Sequence, residues 1–172
     1  MSQIGIDTCP SADDSVHLVM VEDDLAMQGS YQILIPEHLS YMSGVILTIM
    51  SGHDEALAYC RLLPAGSRVF LVSDGDLGVP NKNGPDLLDA FRCLVHERGF
   101  MAGMRLLSGL PEWYQREPKL RFLPPEHRWA KGSWEWIDPL RQGLEELRAK
   151  QAPLTHTKPH SISPSTAPSA EG

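Results

Sequence analysis

RVFLVSDGDLGVPNKNG, residues Arg68–Gly84, is the stretch whose reading decides the fold. Val69, Phe70, Leu71 and Val72 form an apolar run too short for a helix and rich in strand-forming residues. It ends abruptly in Ser73-Asp74-Gly75-Asp76. A continuous apolar strand is buried on both faces, as in a parallel sheet covered by helices. Asp74 and Asp76 therefore fall at or just past the C-terminal end of a central strand, the edge where open α/β sheets bind ligands. Asp and Gly also make ordinary turns, so the weight of this reading rests on the flanking chain. Gly- and Asn-rich residues follow, and Pro85-Asp86 opens a helical pattern.

Working outward, His17–Val21 is a second short apolar strand, and it too ends in acid, Glu22-Asp23-Asp24. Leu25, Met27, Tyr31, Leu34 and Ile35 fit a helix that Pro36 is expected to interrupt. Val45–Met50 reads as a strand, and Ser51 as the cap of a helix carrying Ala56, Leu57, Tyr59, Cys60 and Leu63. Leu87, Leu88, Phe91, Leu94 and Val95 make the clearest amphipathic helix, closed by Gly99. Met101–Leu107 is a fourth strand ending in Ser108-Gly109. Prolines at 111, 118, 124 and 125 allow only short helical pieces before a brief strand over His127–Ala130 that delivers Lys131. Leu123-Pro124-Pro125 is an alternative end for that strand, which would strip Lys131 of its position. Asp138-Pro139 reads as a cap and first turn for a final helix lined by Leu140, Leu144 and Leu147. Strands alternating with helices imply an α/β fold, a doubly wound five-stranded parallel sheet with helices on both faces.

Residues 1–14 read as a flexible N-terminal extension, 15–150 as the folded domain, and 151–172 as a disordered tail rich in Pro, Ser and Thr. At 172 residues, with 42% hydrophobic and 22% charged residues, the chain suits one soluble domain. A net charge of −7 argues against nucleic acid as the main partner. Cys9, Cys60 and Cys93 lie far apart with no CxxC and read as reduced thiols, two of them on helix faces. No apolar run approaches membrane-spanning length, and no signal pattern opens the chain, so a cytoplasmic protein is expected. The scattered His17, His38, His53, His96 and His127 lack zinc spacing.

In a doubly wound sheet these strand ends point one way, so Glu22, Asp23, Asp74, Asp76, Ser108 and Lys131 can converge. Clustered carboxylates repel and take up protons or a cation, and a hard divalent ion such as Mg2+ suits oxygen ligands. A carboxylate held beside such an ion can attack the phosphorus of a phosphoryl donor. Each element also has a plain structural role: acids at a helix N-terminus, a turn serine, a solvated lysine. Trp129, Trp134 and Trp136 read either as core or as a partly exposed docking patch.

Val21–Asp24, Val72–Leu77, Leu107–Gly109, Ala130–Gly132 and Ser51–Leu57 together resemble the signature positions of the receiver domain of two-component response regulators. The resemblance covers residues 16–149 in order and on the right elements. It implies a flavodoxin-like fold with Asp74 as phosphoacceptor and Glu22 and Asp23 as Mg2+ ligands. Asp76 would offer the metal its backbone carbonyl, Ser108 would be the hydroxyl that moves on activation, and Lys131 would pair with the phosphoryl oxygens. The implied partners are a histidine kinase or phosphotransfer protein and a downstream protein target, with homodimer formation left open. On this reading the chain is a single-domain phosphoacceptor, not an enzyme.

The sequence departs from the family pattern at several points. Gly132 stands where the family has proline, Arg128 where a large aromatic is expected, and the region of the fourth helix is broken by prolines. These departures support an alternative, a phosphorylation-independent pseudo-receiver binding module. A further alternative is that Asp74-Gly75-Asp76-Leu77 resembles the DxD motif of haloacid-dehalogenase-type phosphatases, which also need a late acidic pair; Asp138 is solitary.

Overall fold

The computed structural model of the chain describes residues 15–150; the extension over 1–14 and the tail over 151–172 lie outside the described residues. The strands are β1 (Val16–Val21), β2 (Val45–Met50), β3 (Arg68–Asp74), β4 (Met101–Ser108) and β5 (Arg128–Ala130). All neighbours are parallel, in the order β2-β1-β3-β4-β5. The chain runs outward from β1 to β2 and then returns to the other side of β1 to build β3. That reversal puts a crevice between the carboxyl ends of β1 and β3. It is also where the sequence ends both strands in acid.

β3 is buried at every one of its 7 residues, and its side chains alternate between two layers. Val69 and Leu71 pack with Leu57 and Cys60 of α2 (His53–Leu62) and with Leu88 and Phe91 of α3 (Gly84–Arg98). Phe70 and Val72 pack on the other face with Tyr31 and Ile35 of α1 (Leu25–His38) and Leu140, Leu144 and Leu147 of α4 (Ile137–Ala149). The structure is thus the expected doubly wound, flavodoxin-like sheet with helices on both faces. Among the described residues no helix is long and apolar enough to cross a membrane.

Several helix ends differ from the sequence expectation. α1 runs through Pro36 to His38. Pro36 gives up its own amide hydrogen bond, but only Glu37 and His38 follow it in the helix, so a bend there displaces little, while Ile35 beside it is fully buried. The N-cap of α2 is Gly52 rather than Ser51, whose amide and hydroxyl both donate to Glu55 instead. α4 is preceded by Trp136 at the cap position, so Asp138 lies inside its first turn and pairs with Arg141. α3 ends as expected at Gly99, whose φ of 64° is the left-handed conformation that glycine adopts without strain.

The connection from β4 to β5 contains no α-helix. It consists of three short 3-10 turns, Pro111–Tyr114, Pro118–Leu120 and Pro125–His127, each opened by proline. Their loose carbonyls converge on one side chain: the Arg128 guanidinium donates to the carbonyls of Tyr114 (2.8 Å), Leu120 (2.9 Å) and Leu123 (2.8 Å). Arg128 therefore anchors this segment. The alternative strand end at Leu123 is not formed. β5 pairs Arg128–Ala130 with Leu106–Ser108, and the Lys131 amide continues the ladder to the Ser108 carbonyl at 2.8 Å.

Trp129 and Trp136 belong to the core and stack on each other, whereas Trp134 is exposed. Cys60 is buried, which pushes its thiol pKa up to about 11, and Cys93 is exposed. Cys9 lies outside the described residues.

Candidate phosphoacceptor and cation site

Glu22 follows β1 directly and is 1% exposed, while Asp23 beside it is exposed to solvent. Asp74 closes β3 and is buried. In-register pairing of β1 with β3 sets Val21 beside Ser73, which brings the acids past each strand end together. One oxygen from each of Glu22, Asp23 and Asp74 lies within 4.8 Å of the others. This is an oxygen-only donor set with one carboxylate open to water. It fits a hard divalent cation that keeps part of its hydration shell, so the residues present suit Mg2+.

Lys131 reaches the same spot from the end of β5. Its Nζ lies 2.6 Å from Glu22 Oε2 and 2.9 Å from Asp74 Oδ2. Burial alone would lower the ammonium pKa, but its hydrogen bonds to Asp74 and Glu22 outweigh that and raise it. Glu22 is held above the ordinary carboxylate value, chiefly by burial; the Lys131 hydrogen bond opposes this, and the nearby Asp74 charge adds to it. Tyr31 donates its hydroxyl to the same Glu22 oxygen at 3.3 Å, and burial together with the Glu22 and Asp74 charges raises its pKa far upward. Asp24 is turned away and caps α1 through the amides of Ala26 and Met27.

The loop after Asp74 is shaped around its carboxylate. Asp74 Oδ1 accepts the Gly75 amide at 2.7 Å, and Gly84 is packed so tightly on the Asp74 carbonyl that a side chain there would collide with it. Gly78, at φ +67°, leaves room for Asp23: a Cβ there would be 3.0 Å from its Oδ2. Asp76 stays outside the carboxylate cluster. It is exposed, and its side chain accepts the Gly78 amide at 3.0 Å, which leaves only its backbone for the expected role.

Ser108 is buried at the end of β4, next to the strand position that pairs with Asp74. Its hydroxyl oxygen accepts the Leu110 amide at 3.2 Å. Sequence reasoning missed Tyr114, whose ring lies over Gly75: a Cβ there would sit 2.7 Å from Tyr114 Cε2. Burial and the charges of Asp76 and Asp74 raise the Tyr114 pKa, while a hydrogen bond with Ser108 acts the other way. Nothing in the sequence signals this, because Tyr114 reaches the site only through the irregular 3-10 segment.

No family model matches the chain, and no curated protein matches it. Among solved structures, the chain is similar to the crystal structure of the Mn2+-bound form of response regulator Rcp1. The identity is 17% and the TM-score 0.46, with 80% of this chain and 98% of that chain covered. The strand order and layering themselves define the class, an α/β domain with a flavodoxin-like fold and an acidic pocket at the β1–β3 switch point.

Proposed function

We propose that this chain acts as a response-regulator receiver. It accepts a phosphoryl group on Asp74 from a histidine kinase or phosphotransfer protein and signals through altered protein contacts, as a phosphoacceptor rather than a turnover enzyme. The observation that carries the reading is the meeting of Asp74 with Glu22, Asp23 and Lys131 at one sheet edge.

In this mechanism the Asp74 carboxylate oxygen forms a bond to phosphorus as the donor's bond to phosphorus breaks, and the leaving group departs with that electron pair. Glu22, Asp23, Asp74 and the Asp76 backbone would hold Mg2+, which neutralises charge on the phosphoryl oxygens when bound. Lys131, already against Asp74 Oδ2, moves with its ammonium onto a phosphoryl oxygen. The Gly75 amide orients the acceptor through Oδ1. Ser108 is placed to offer its hydroxyl from the neighbouring strand end.

Acetyl phosphate with Mg2+ should give a labile single-phosphoryl adduct by intact-mass spectrometry, absent without Mg2+ and absent in Asp74→Asn. The competing pseudo-receiver reading draws on Lys131 bridging Glu22 and Asp74, which offsets part of the negative charge of the pocket without a metal ion. That reading gains if no adduct forms and millimolar Mg2+ leaves tryptophan fluorescence unchanged.

A further inference from the structure

β5 covers only Leu106–Ser108 of β4, so Met101–Arg105 have no neighbour on the β5 side; Met101–Met104 are half-buried and Arg105 is buried. Beside this edge lie two chambers of about 270 and 290 Å3, sharing Arg105, His127, Gly143 and Glu146. Each is near the small end of the roughly 300–1,000 Å3 typical of small-molecule sites. The first is walled by Phe70, Phe122, Leu123 and Leu147.

Arg105 is the unusual group. It is 9% exposed, and its guanidinium is stacked against the rings of Phe70 (5.0 Å) and Trp129 (5.3 Å). Nη1 donates to the Met104 carbonyl at 2.9 Å, but the buried Nε has no hydrogen-bond partner, and among the described residues no carboxylate forms an ion pair with Arg105. Burial lowers its pKa, partly offset by Glu146 and Glu126. An unpaired buried charge is costly; with Nε sealed from solvent and Nη1 on the Met104 carbonyl, Nη2 is the atom left to meet a carboxylate. Gly143 lets the α4 backbone approach the guanidinium and the Phe70 ring closely, since a Cβ there would come within 3.3 Å of Nη2 and 2.7 Å of that ring.

Glu146 lines both chambers too, accepts only a Gln142 amide hydrogen bond, and pairs with no described cation. A purely anionic ligand would meet its repulsion, although Lys150, which also lines the first chamber, attracts an anion. A molecule bearing both charges would satisfy both residues.

We propose that this cavity between β4 and α4 binds a small zwitterion of the α-amino-acid type. Its carboxylate lies on Arg105, its ammonium toward Glu146, and a compact apolar side chain against Phe70, Phe122, Leu123 and Leu147. The site is separate from the acidic pocket and independent of any phosphorylation there.

The test is titration of the full chain, followed by amide NMR, with alanine, valine and leucine. Two single-charge analogues of leucine, 4-methylpentanoate and 3-methylbutylamine, serve as controls. At least one amino acid should bind saturably, shift the Gly103 and Gly143 amides, and bind at least about tenfold more tightly than either single-charge analogue. Glu146→Gln, at an exposed position, should fold normally and reduce amino-acid binding to the level of 4-methylpentanoate. Arg105→Gln should abolish it. No saturable shifts with any amino acid, equal binding of an amino acid and a single-charge analogue, or unchanged binding in Glu146→Gln would each overturn the proposal.

Discussion

The two halves of the sheet bring residues to one carboxyl edge by different means. β2, β1 and β3 are 6 or 7 residues long, pair along their whole lengths and are packed by α1, α2 and α3. In the other half β5 has 3 residues, and the chain reaches it through 3-10 turns held by Arg128. Yet the irregular half supplies Ser108 and Lys131 to the acids of the regular half. The carboxylates are placed by a ladder and two layers of apolar packing. The position of the cation between them depends on a short strand and a hydrogen-bond hub.

The most severe way to break this arrangement is Lys131→Met, which removes the link between the halves. Glu22 and Asp74 would then be left as neighbouring buried carboxylates. Removing one partner of a buried ion pair costs about 3–5 kcal/mol, and the low end applies because Lys131 is 18% exposed. Glu22 is already held above 4.5, so its folded form binds a proton more readily than the unfolded chain. Stability of the variant should therefore recover as pH falls from neutral through that raised value. For the parent protein the Lys131 contribution is complete below 10.5 and lost as pH rises through the raised ammonium value. Urea unfolding across pH measures both limbs; a variant as stable as the parent at pH 7 would show that the pair contributes nothing.

Arg128→Gln tests the hub itself. It withdraws charged donors from the Tyr114, Leu120 and Leu123 carbonyls, for an expected loss of about 2–3 kcal/mol. Hydrogen exchange should quicken over residues 111–131 while β1 and β3 amides stay protected. Uniform quickening through the sheet would mean that the two halves unfold as one unit.

The same division explains what could be read in advance. Val69–Val72 and His17–Val21 are short apolar runs ending in acid, so period and composition put Asp74, Glu22 and Asp23 at strand ends that a doubly wound sheet can bring together. Pro36 misleads because only Glu37 and His38 follow it in α1, so a bend at the proline has almost no helix left to displace. Ser51 misleads because its polar atoms are taken by Glu55. Arg128 reads as a departure from a family pattern, because no sequence pattern shows that its guanidinium will hold the Tyr114, Leu120 and Leu123 carbonyls. Tyr114 is invisible because no periodicity predicts where a ring on a 3-10 turn will lie.

Asn83→Ala perturbs the regular half alone and should have the smallest effect. Asn83 accepts the Asp86 amide at 3.2 Å, and Asp86 in turn accepts the Asn83 amide at 3.3 Å, so the substitution loses half of a reciprocal cap. The expected cost is about 1 kcal/mol, with Asn83→Asp restoring most of it. Its local consequence is the more telling one. Gly84, at the head of α3, donates its amide to the Gly75 carbonyl at 3.1 Å, so a frayed first turn loosens the loop that holds Asp74. Asp86 also pairs with Lys119 from the irregular half, so that contact should survive the loss of the cap. Thermal unfolding gives the cost, and exchange at the Gly75 and Gly84 amides reports the loosening. If exchange instead rises first around Lys119, the order of dependence is reversed and the irregular segment is what steadies α3.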